Sequence, residues 1–177
     1  MDSKLVAWSK KNPKLGKVTD IGVTFKMPGS KKVTLTPEDS IKFQMDLGVD
    51  MVVALDDFDA PNPTEKQAKE SVERTIYWAK RCKKEFEKIC KKKKIKNNQR
   101  PYFLGVIQGG RSRELRKYCV EELLKIGFDG LGYGGEEKVK GNINYDLAEY
   151  IKSLVPENYL LYALGVGKPE DVVNLSR

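Results

Sequence analysis

The stretch VDMVVAL (residues 49–55) decides the fold, because it opens the first of four similar units along the chain. This mostly apolar run is too short for a helix, which predicts a buried strand. The polar loop DDFDAPNP follows it, and NPTE (62–65) begins a segment whose apolar residues recur every three or four positions as far as Ile89. That spacing predicts a long amphipathic helix, so the two segments together predict a βα unit.

Three further units have the same order. Their strands are predicted at YFLGVIQ (102–108), FDGLGY (128–133) and YLLYALG (159–165), each followed by a helical pattern, the last opening at Pro169. Four such units imply a parallel sheet with right-handed crossovers. An open doubly wound sheet and an arc of a (β/α)8 barrel both fit. A whole barrel takes about 250 residues, so this chain could hold only part of one.

The first 36 residues predict an irregular segment followed by a β-hairpin. The alternating runs GVTFKM and KKVTLT flank a turn cluster at residues 28–30. Thr36 is placed to cap the next helix, and Gly48 is placed to end it. We therefore predict one domain, with the hairpin preceding a helix and four βα units over residues 37–177.

Composition excludes several classes of protein and of site. The chain is 40% hydrophobic and 33% charged, as in ordinary globular proteins, and no apolar run approaches the length of a membrane span. Without a signal-peptide pattern, a cytoplasmic location is predicted. The chain has no histidine, which excludes Ser-His and Cys-His pairs. Cys82, Cys90 and Cys119 lack zinc-site spacing and are predicted to be buried hydrophobic residues.

A basic excess gives the chain a formal net charge of +8, and part of it lies in KKEFEKICKKKKIKNNQR (83–100). Such a lysine run is typical of a solvated helix end, and it is equally compatible with contact to a polyanion.

Polar residues and glycines follow the predicted strands. In chain order they are Asp56-Asp57, Gln108-Gly109-Gly110, Gly134-Gly135 and Gly165-Val166-Gly167. In both architectures ligands bind beyond the carboxyl ends of parallel strands. A carboxylate, an amide and exposed backbone could together read a flat polar heterocycle such as guanine. The alternative is that the glycines only allow tight loops and the carboxylates are capped or solvated.

Six stretches resemble one family in their order and spacing, from about Gly22 to Val173. They are GVTFKM, LTPEDSIKFQMDLGVDMVVALDD, AKESVERTIYWAKR, GVIQGG, IGFDGLGYGG and ALGVGKPEDV. This set is similar to tRNA-guanine transglycosylases, the queuine tRNA-ribosyltransferases. The resemblance implies a (β/α)8 barrel that exchanges guanine in tRNA for a 7-deazaguanine through a covalent ribosyl-aspartate intermediate.

The resemblance also implies roles for particular residues. Asp56 would read the N1 and N2 edge of the base, and Gln108 with the backbone N–H of Gly135, after Gly134, would donate to O6. Leu164 would pack on the base face. The basic residues that open the following helix could hold tRNA phosphates, or could form an exposed helix face paired with Glu114 and Glu121. They are Arg111, Arg113, Arg116 and Lys117.

Three family features have no counterpart in the sequence: the TDSGGFQ-type segment with its acid-base aspartate, the nucleophilic aspartate, and the cysteine-rich zinc site. The segment EEKVKG (136–141) also departs from the family pattern. We therefore expect this chain to hold the residues that bind the base and to lack the nucleophile. We also expect no cofactor in this chain and no base exchange by the isolated polypeptide. A homodimer or a complementing subunit is compatible with this prediction.

Three alternatives remain open from the sequence. The chain could be a non-catalytic accessory module that supplies base or tRNA contacts, or a relative that acts on DNA instead of tRNA. It could also be an unrelated small α/β enzyme in which Asp56, Asp57 and Asp59 bind Mg²⁺, since hard oxygen ligands suit that ion. Solvation of Asp57 and Asp59 in a loop explains the same residues.

Overall fold

The computed structural model describes residues 2–12, 15–26, 29–58, 63–134, 138–139 and 142–176. Its helices are α1 (Asp2–Lys11), α2 (Pro37–Leu47), α3 (Glu65–Lys92), α4 (Arg113–Ile126), α5 (Tyr145–Leu154) and α6 (Pro169–Leu175). Its strands are β1 (Gly16–Thr19), β2 (Gly22–Lys26), β3 (Lys32–Leu35), β4 (Met51–Val53), β5 (Tyr102–Ile107), β6 (Gly130–Tyr133), β7 (Lys138–Val139), β8 (Asn142–Ile143) and β9 (Leu160–Ala163).

The central sheet contains the four predicted parallel strands. Their order is β4-β5-β6-β9, and every neighbouring pair is parallel. Strands that follow one another as βα units are therefore neighbours in space. A doubly wound sheet reverses its strand order at a switch point, and these four strands show no such reversal. The prediction of a parallel α/β sheet is confirmed.

The N-terminal region contains more structure than predicted. The β2–β3 hairpin is present, but β1 adds a third antiparallel strand and α1 precedes it. The prediction of an irregular segment before the hairpin is thus wrong. A ten-residue helix and a four-residue strand give too short a periodic pattern to separate from a loop.

Threonine caps begin α2 and α3, and the two helices end differently. Thr36 and Thr64 each accept from the third backbone N–H of their helix in a capping box. Gly48 ends α2 in the left-handed conformation, with φ 71°. The left-handed residue after α3 is Lys94, with φ 53°, in a position where glycine is normally favoured.

The core lies between the parallel sheet and the helices that cross over it. Phe103 on β5 stacks on Phe86 of α3 at 4.4 Å between ring centroids, and it meets Phe128 edge-on at 4.9 Å. The predicted burial of all three cysteines is confirmed. Burial raises the pKa of Cys82 to about 12 and that of Cys119 to about 11, so both remain protonated thiols.

The antiparallel sheet is attached to the middle of α3. Trp78 Nε1 donates to the carbonyl of Asp20 at 2.9 Å, and Arg81 donates to the same carbonyl at 2.6 Å. Arg81 also holds both carboxylate oxygens of Glu38 at the start of α2, at 2.8 and 2.6 Å. The N-terminal region and the first βα unit therefore share one set of polar contacts.

Candidate functional site

Asp56 and Gln108 meet at the carboxyl ends of the neighbouring strands β4 and β5. Gln108 Nε2 donates to Asp56 Oδ2 at 2.6 Å. Gln108 is 0% exposed and Asp56 is 2% exposed. Gln108 Oε1 is also buried and has no hydrogen-bond partner among the described residues. The structure thus brings together a carboxylate and an amide that lie 52 positions apart in the sequence.

The backbone around Gln108 explains the Gln-Gly-Gly sequence. The Gln108 N–H donates to Cys119 Sγ of α4 at 3.4 Å, which fixes the end of β5 against that helix. Gly109 has φ 137°, and a Cβ at this position would lie 2.8 Å from the backbone nitrogen of Arg116. Glycine therefore permits both the turn and the close approach of α4 that hold the Gln108 side chain in place.

Gly134 ends β6 beside the Gln108 amide. Its N–H donates to the carbonyl of Ile107 at 3.2 Å. A Cβ at Gly134 would lie 2.6 Å from Val106 Cγ1 and 3.0 Å from Gln108 Nε2. The missing side chain leaves the space that the amide occupies. Gly135, the other glycine predicted here, lies outside the described residues.

Leu164 follows β9 at the same edge of the sheet. Its N–H donates to the carbonyl of Tyr133 at 3.2 Å, and its side chain is half-buried. A Cβ on Gly132 would lie 2.8 Å from Leu164 Cδ1, so the leucine packs directly over the β6 backbone. Leu164 is therefore an apolar group close to Gly134.

Arg116 differs from the prediction of a basic residue available to a ligand. Its side chain is 0% exposed. The guanidinium donates to the carbonyls of Gly110 (3.0 Å), Ile107 (2.8 Å) and Gly134 (2.6 Å). These bonds join the loop after β5 to the end of β6. Arg116 therefore holds the backbone of the site together, and its burial removes it from the set of surface phosphate contacts.

The other three basic residues at the start of α4 are exposed, as predicted. The guanidinium of Arg113 lies 4.8 Å from the centroid of the Tyr150 ring. Lys117 Nζ is 4.0 Å from Glu121 Oε1, a weak pair of exposed side chains. Arg111 precedes the helix and is also exposed. These side chains form a basic surface at the start of α4, the helix that follows Gln108 in the chain.

Asp57 has surroundings that the sequence did not predict. Its carboxylate is 0% exposed and forms ion pairs with Lys10 Nζ of α1 at 2.7 Å and Arg74 Nη1 of α3 at 2.6 Å. Its N–H donates to Thr75 Oγ1 at 2.9 Å, and its carbonyl accepts from the Ser71 hydroxyl. The interpretation that this carboxylate is solvated is therefore wrong. Because Lys10 and Arg74 already neutralise it, Asp57 is not suited to bind magnesium.

Comparison with known proteins agrees with the sequence resemblance. A family model described as Queuine tRNA-ribosyltransferase matches residues 3–177. The chain belongs to this family. It is 40% identical over 165 residues to the queuine tRNA-ribosyltransferase of Actinobacillus pleuropneumoniae serotype 5b (strain L20), covering 90% of this chain and 40% of that protein. It is also 38% identical over 164 residues to that of Pasteurella multocida (strain Pm70), again covering 90% and 40%.

The queuine tRNA-ribosyltransferase match includes every candidate site residue, because it extends from residue 3 to residue 177. The chain spans only 40% of the length of the curated relatives named above. The activity and the substrates of those longer proteins are therefore only proposed for this chain.

No three His, Cys, Asp or Glu side chains cluster as metal ligands within the described ranges, and the three cysteines are buried separately as free thiols. The described residues therefore do not fit a zinc site. No helix in the same part of the chain has the length and apolar character needed to cross a membrane.

Proposed function

We propose that this chain recognises guanine and 7-deazaguanine bases during base exchange in tRNA, as part of a tRNA-guanine transglycosylase. The observation that carries the proposal is the buried Asp56–Gln108 pair, with Nε2 and Oδ2 2.6 Å apart. Membership of the queuine tRNA-ribosyltransferase family supports the same substrate class.

The chemistry of the pair matches the polar edge of guanine. An ionised Asp56 only accepts hydrogen bonds, and guanine offers it two donors, N1–H and the 2-amino group. Gln108 Nε2 is a donor for O6. The structure joins the two groups through the Nε2–Oδ2 hydrogen bond, and a bound guanine would replace this contact with a partner for each group. Because the site is buried, a base with the wrong donors would leave unsatisfied polar groups and bind weakly.

The described carboxylates at this edge favour recognition of the base over nucleophilic attack. Asp56 accepts from Gln108, and Asp57 is held by Lys10 and Arg74. Neither is therefore an uncommitted nucleophile for C1′ of the ribose. We expect the nucleophilic aspartate implied by the resemblance to come from outside these residues. This chain would then bind the base without attacking the ribose.

The unreversed strand order supports an arc of a (β/α)8 barrel. In such a barrel each βα unit neighbours the next one, as β4, β5, β6 and β9 do here. β4 and β9 are the edges of this sheet, and unpaired edges accept further strands. Further βα units, in a longer polypeptide or in a complementing subunit, would complete the barrel.

Calorimetric titration with guanine and adenine tests the recognition step. Loss of the charged acceptor in Asp56→Asn should weaken guanine binding by about 2 kcal/mol, or roughly 30-fold. Adenine should bind weakly to both proteins, since it lacks the N1–H donor and the O6 acceptor. Asp20→Asn changes an exposed carboxylate and serves as the control. Equal guanine affinity in the wild type and Asp56→Asn would reject the assignment.

A second assay measures incorporation of labelled guanine into unmodified tRNA. We expect the purified 177-residue chain to bind guanine without exchanging it. Incorporation above the background of a protein-free reaction would show that the nucleophile lies within these residues.

A further inference from the structure

Five lysines cluster where α3 ends. We define the lysine cluster as Lys91, Lys92, Lys93, Lys94 and Lys96. Helix α3 has 28 residues and is therefore about 42 Å long. It starts after the carboxyl end of β4 and ends before the amino end of β5. The lysine cluster thus lies at the opposite end of the strands from Asp56 and Gln108.

The cluster is poorly neutralised by the protein. All five side chains are exposed. Within the described part of the chain, the ion pair of the cluster joins Lys93 Nζ to Asp46 Oδ1 at 2.9 Å, and Asp46 is itself 72% exposed. The helix dipole favours lysine in the last turn of α3, but it does not account for Lys94 and Lys96 beyond the helix. Like charges at such close spacing repel one another, so the cluster is suited to an external anion.

Lys94 gives a second, independent indication. The N–H of Ile95 donates to the carbonyl of Cys90 at 2.9 Å, and that of Lys94 to the carbonyl of Lys91 at 3.2 Å. These two bonds define a Schellman motif, whose left-handed position usually holds glycine. Gly48 and Gly127 occupy that conformation after α2 and α4, with φ 71° and 79°. After α3 the left-handed residue is instead Lys94, with φ 53°, so this position has a positively charged side chain.

The surface beside the cluster is concave. A cavity of about 300 Å³ opens there. It is lined by Met45, Gly48, Val49, Asp50, Ile95, Gln99, Arg100 and Pro101. Ile95, which lies between two lysines of the cluster, forms part of the wall. The wall combines apolar side chains with the polar groups of Asp50, Gln99 and Arg100. Exposed cations beside a concave surface favour a ligand that presents phosphates, as a nucleic acid does.

We propose that the lysine cluster binds the phosphate backbone of tRNA at a second contact, remote from the exchanged base. This inference rests on the proposed function and extends it to the opposite end of the molecule. Contacts to phosphates carry no sequence information, and they fix how a nucleic acid is oriented. The exposed arginines near Gln108 would hold the tRNA close to the base, and the lysine cluster would hold a distant part of the same molecule.

Fluorescence anisotropy with a labelled tRNA transcript, measured over a series of salt concentrations, tests the proposal. The quadruple variant Lys91→Ala, Lys92→Ala, Lys94→Ala, Lys96→Ala should bind at least 10-fold more weakly near 0.1 M salt. The slope of log K against log salt should fall by about 3, because each of the four lost phosphate contacts contributes about 0.7 to 0.9.

The matched control removes four exposed lysines from the hairpin and α2, which lowers the net charge equally. The control replaces Lys26, Lys31, Lys32 and Lys42 by alanine. Its salt slope should remain close to that of the wild type. Equal losses in the two quadruple variants would overturn the proposal, since net charge alone would then explain binding.

Lys94→Gly separates binding from stability. Glycine relieves the left-handed backbone, so the midpoint of thermal unfolding should rise while the salt slope falls by about one contact, 0.7 to 0.9. A more stable variant with unchanged tRNA binding would remove Lys94 from the proposed contact.

Guanine calorimetry on the same proteins distinguishes this inference from the proposed function. A wild type that fails to bind guanine, but whose tRNA affinity depends on the lysine cluster, would reject base recognition and retain the lysine contact. Normal guanine binding, together with a tRNA affinity that does not depend on the lysine cluster, would retain base recognition and reject the lysine contact.

Discussion

The two ends of the parallel strands use charge in opposite ways. At the carboxyl ends, the two carboxylates are buried and partnered within the protein: Asp56 meets Gln108, and Asp57 meets Lys10 and Arg74. At the amino ends, the lysine cluster is exposed and has little internal neutralisation. The carboxyl ends therefore present hydrogen-bond donors and acceptors in fixed positions, and the amino ends present a cluster of exposed positive charges.

This difference determines what each end can recognise. Buried hydrogen bonds are strong, weakly screened and dependent on geometry, so they suit a small ligand with a defined edge. Exposed charges act over about 8 to 10 Å at physiological salt and tolerate many geometries, so they suit a polyanion. Substitutions at the carboxyl ends should therefore change stability and base selectivity, and those at the amino ends should change salt and pH dependence.

The largest effect is expected from Asp57→Asn. The change leaves Lys10 and Arg74 without their shared buried counter-charge, which should lower the free energy of unfolding by about 3 kcal/mol. Asp20→Asn is the matched control, because Arg74 Nε also contacts Asp20 at 3.1 Å but Asp20 is 78% exposed. That control should cost about 0.5 kcal/mol. Denaturant unfolding measures both, and similar losses in the two variants would contradict the burial argument.

An intermediate effect is expected from Gly134→Ala. The new methyl group would lie 2.6 Å from Val106 Cγ1 and 3.0 Å from Gln108 Nε2, so the Val106 side chain must move and the amide must shift slightly. We expect about 1.5 kcal/mol of destabilisation from overpacking and a loss of guanine affinity. Gly167→Ala is the control, since a Cβ there meets no heavy atom within 4 Å. Unchanged guanine binding in Gly134→Ala would show that the Gln108 position is not important.

The smallest effect is expected at the amino ends, from Asp129→Asn. Burial alone would raise the pKa of Asp129, but hydrogen bonds from Arg100 and the Phe103 N–H outweigh it and lower that pKa below its ordinary value. The carboxylate therefore stabilises the fold above its unfolded-state pKa, and this contribution is lost as pH falls through the folded-state pKa. The variant should cost about 1 kcal/mol at pH 7, because the pair is only partly buried.

Thermal unfolding of wild type and Asp129→Asn between pH 7 and pH 2.5 measures that contribution. The stability difference should be constant near neutrality and shrink below about pH 4, where the carboxyl of the unfolded state begins to bind a proton. It should be lost at still lower pH, as the folded-state carboxyl is protonated in turn. A difference that grows as pH falls would show that the pKa shift has the opposite sign.

Local sequence patterns predicted most of the fold. The long helix predicted from NPTE (62–65) as far as Ile89 is α3 (Glu65–Lys92), and Thr36 caps α2 as predicted. The strands are shorter than their apolar runs: the run at 128–133 becomes a strand only from Gly130, because Asp129 bonds to Arg100 and Phe103. Periodicity locates an element, and tertiary contacts decide where it ends.

The candidate site could be predicted only in part. The strand ends pointed to Asp56, Gln108 and Gly134, because parallel topology places such positions at one edge. The partners of Asp57 and the burial of Arg116 depend on how α1, α3 and α4 pack, and no spacing in the sequence encodes those contacts. A buried ion pair has no local pattern, so an acidic or basic residue looks the same in sequence whether it is solvated or enclosed.

The bridge made by Arg74 has a consequence for the beginning of the chain. The same guanidinium holds Asp57 and Asp20, and Lys10 reaches Asp57 from α1. Lys10 and Asp20 are thus linked by ion pairs to the peptide that presents Asp56, so a change at either residue would loosen a carboxylate far along the sequence. Helix α1 and the turn at Asp20 therefore help to fix the position of Asp57, the neighbour of Asp56.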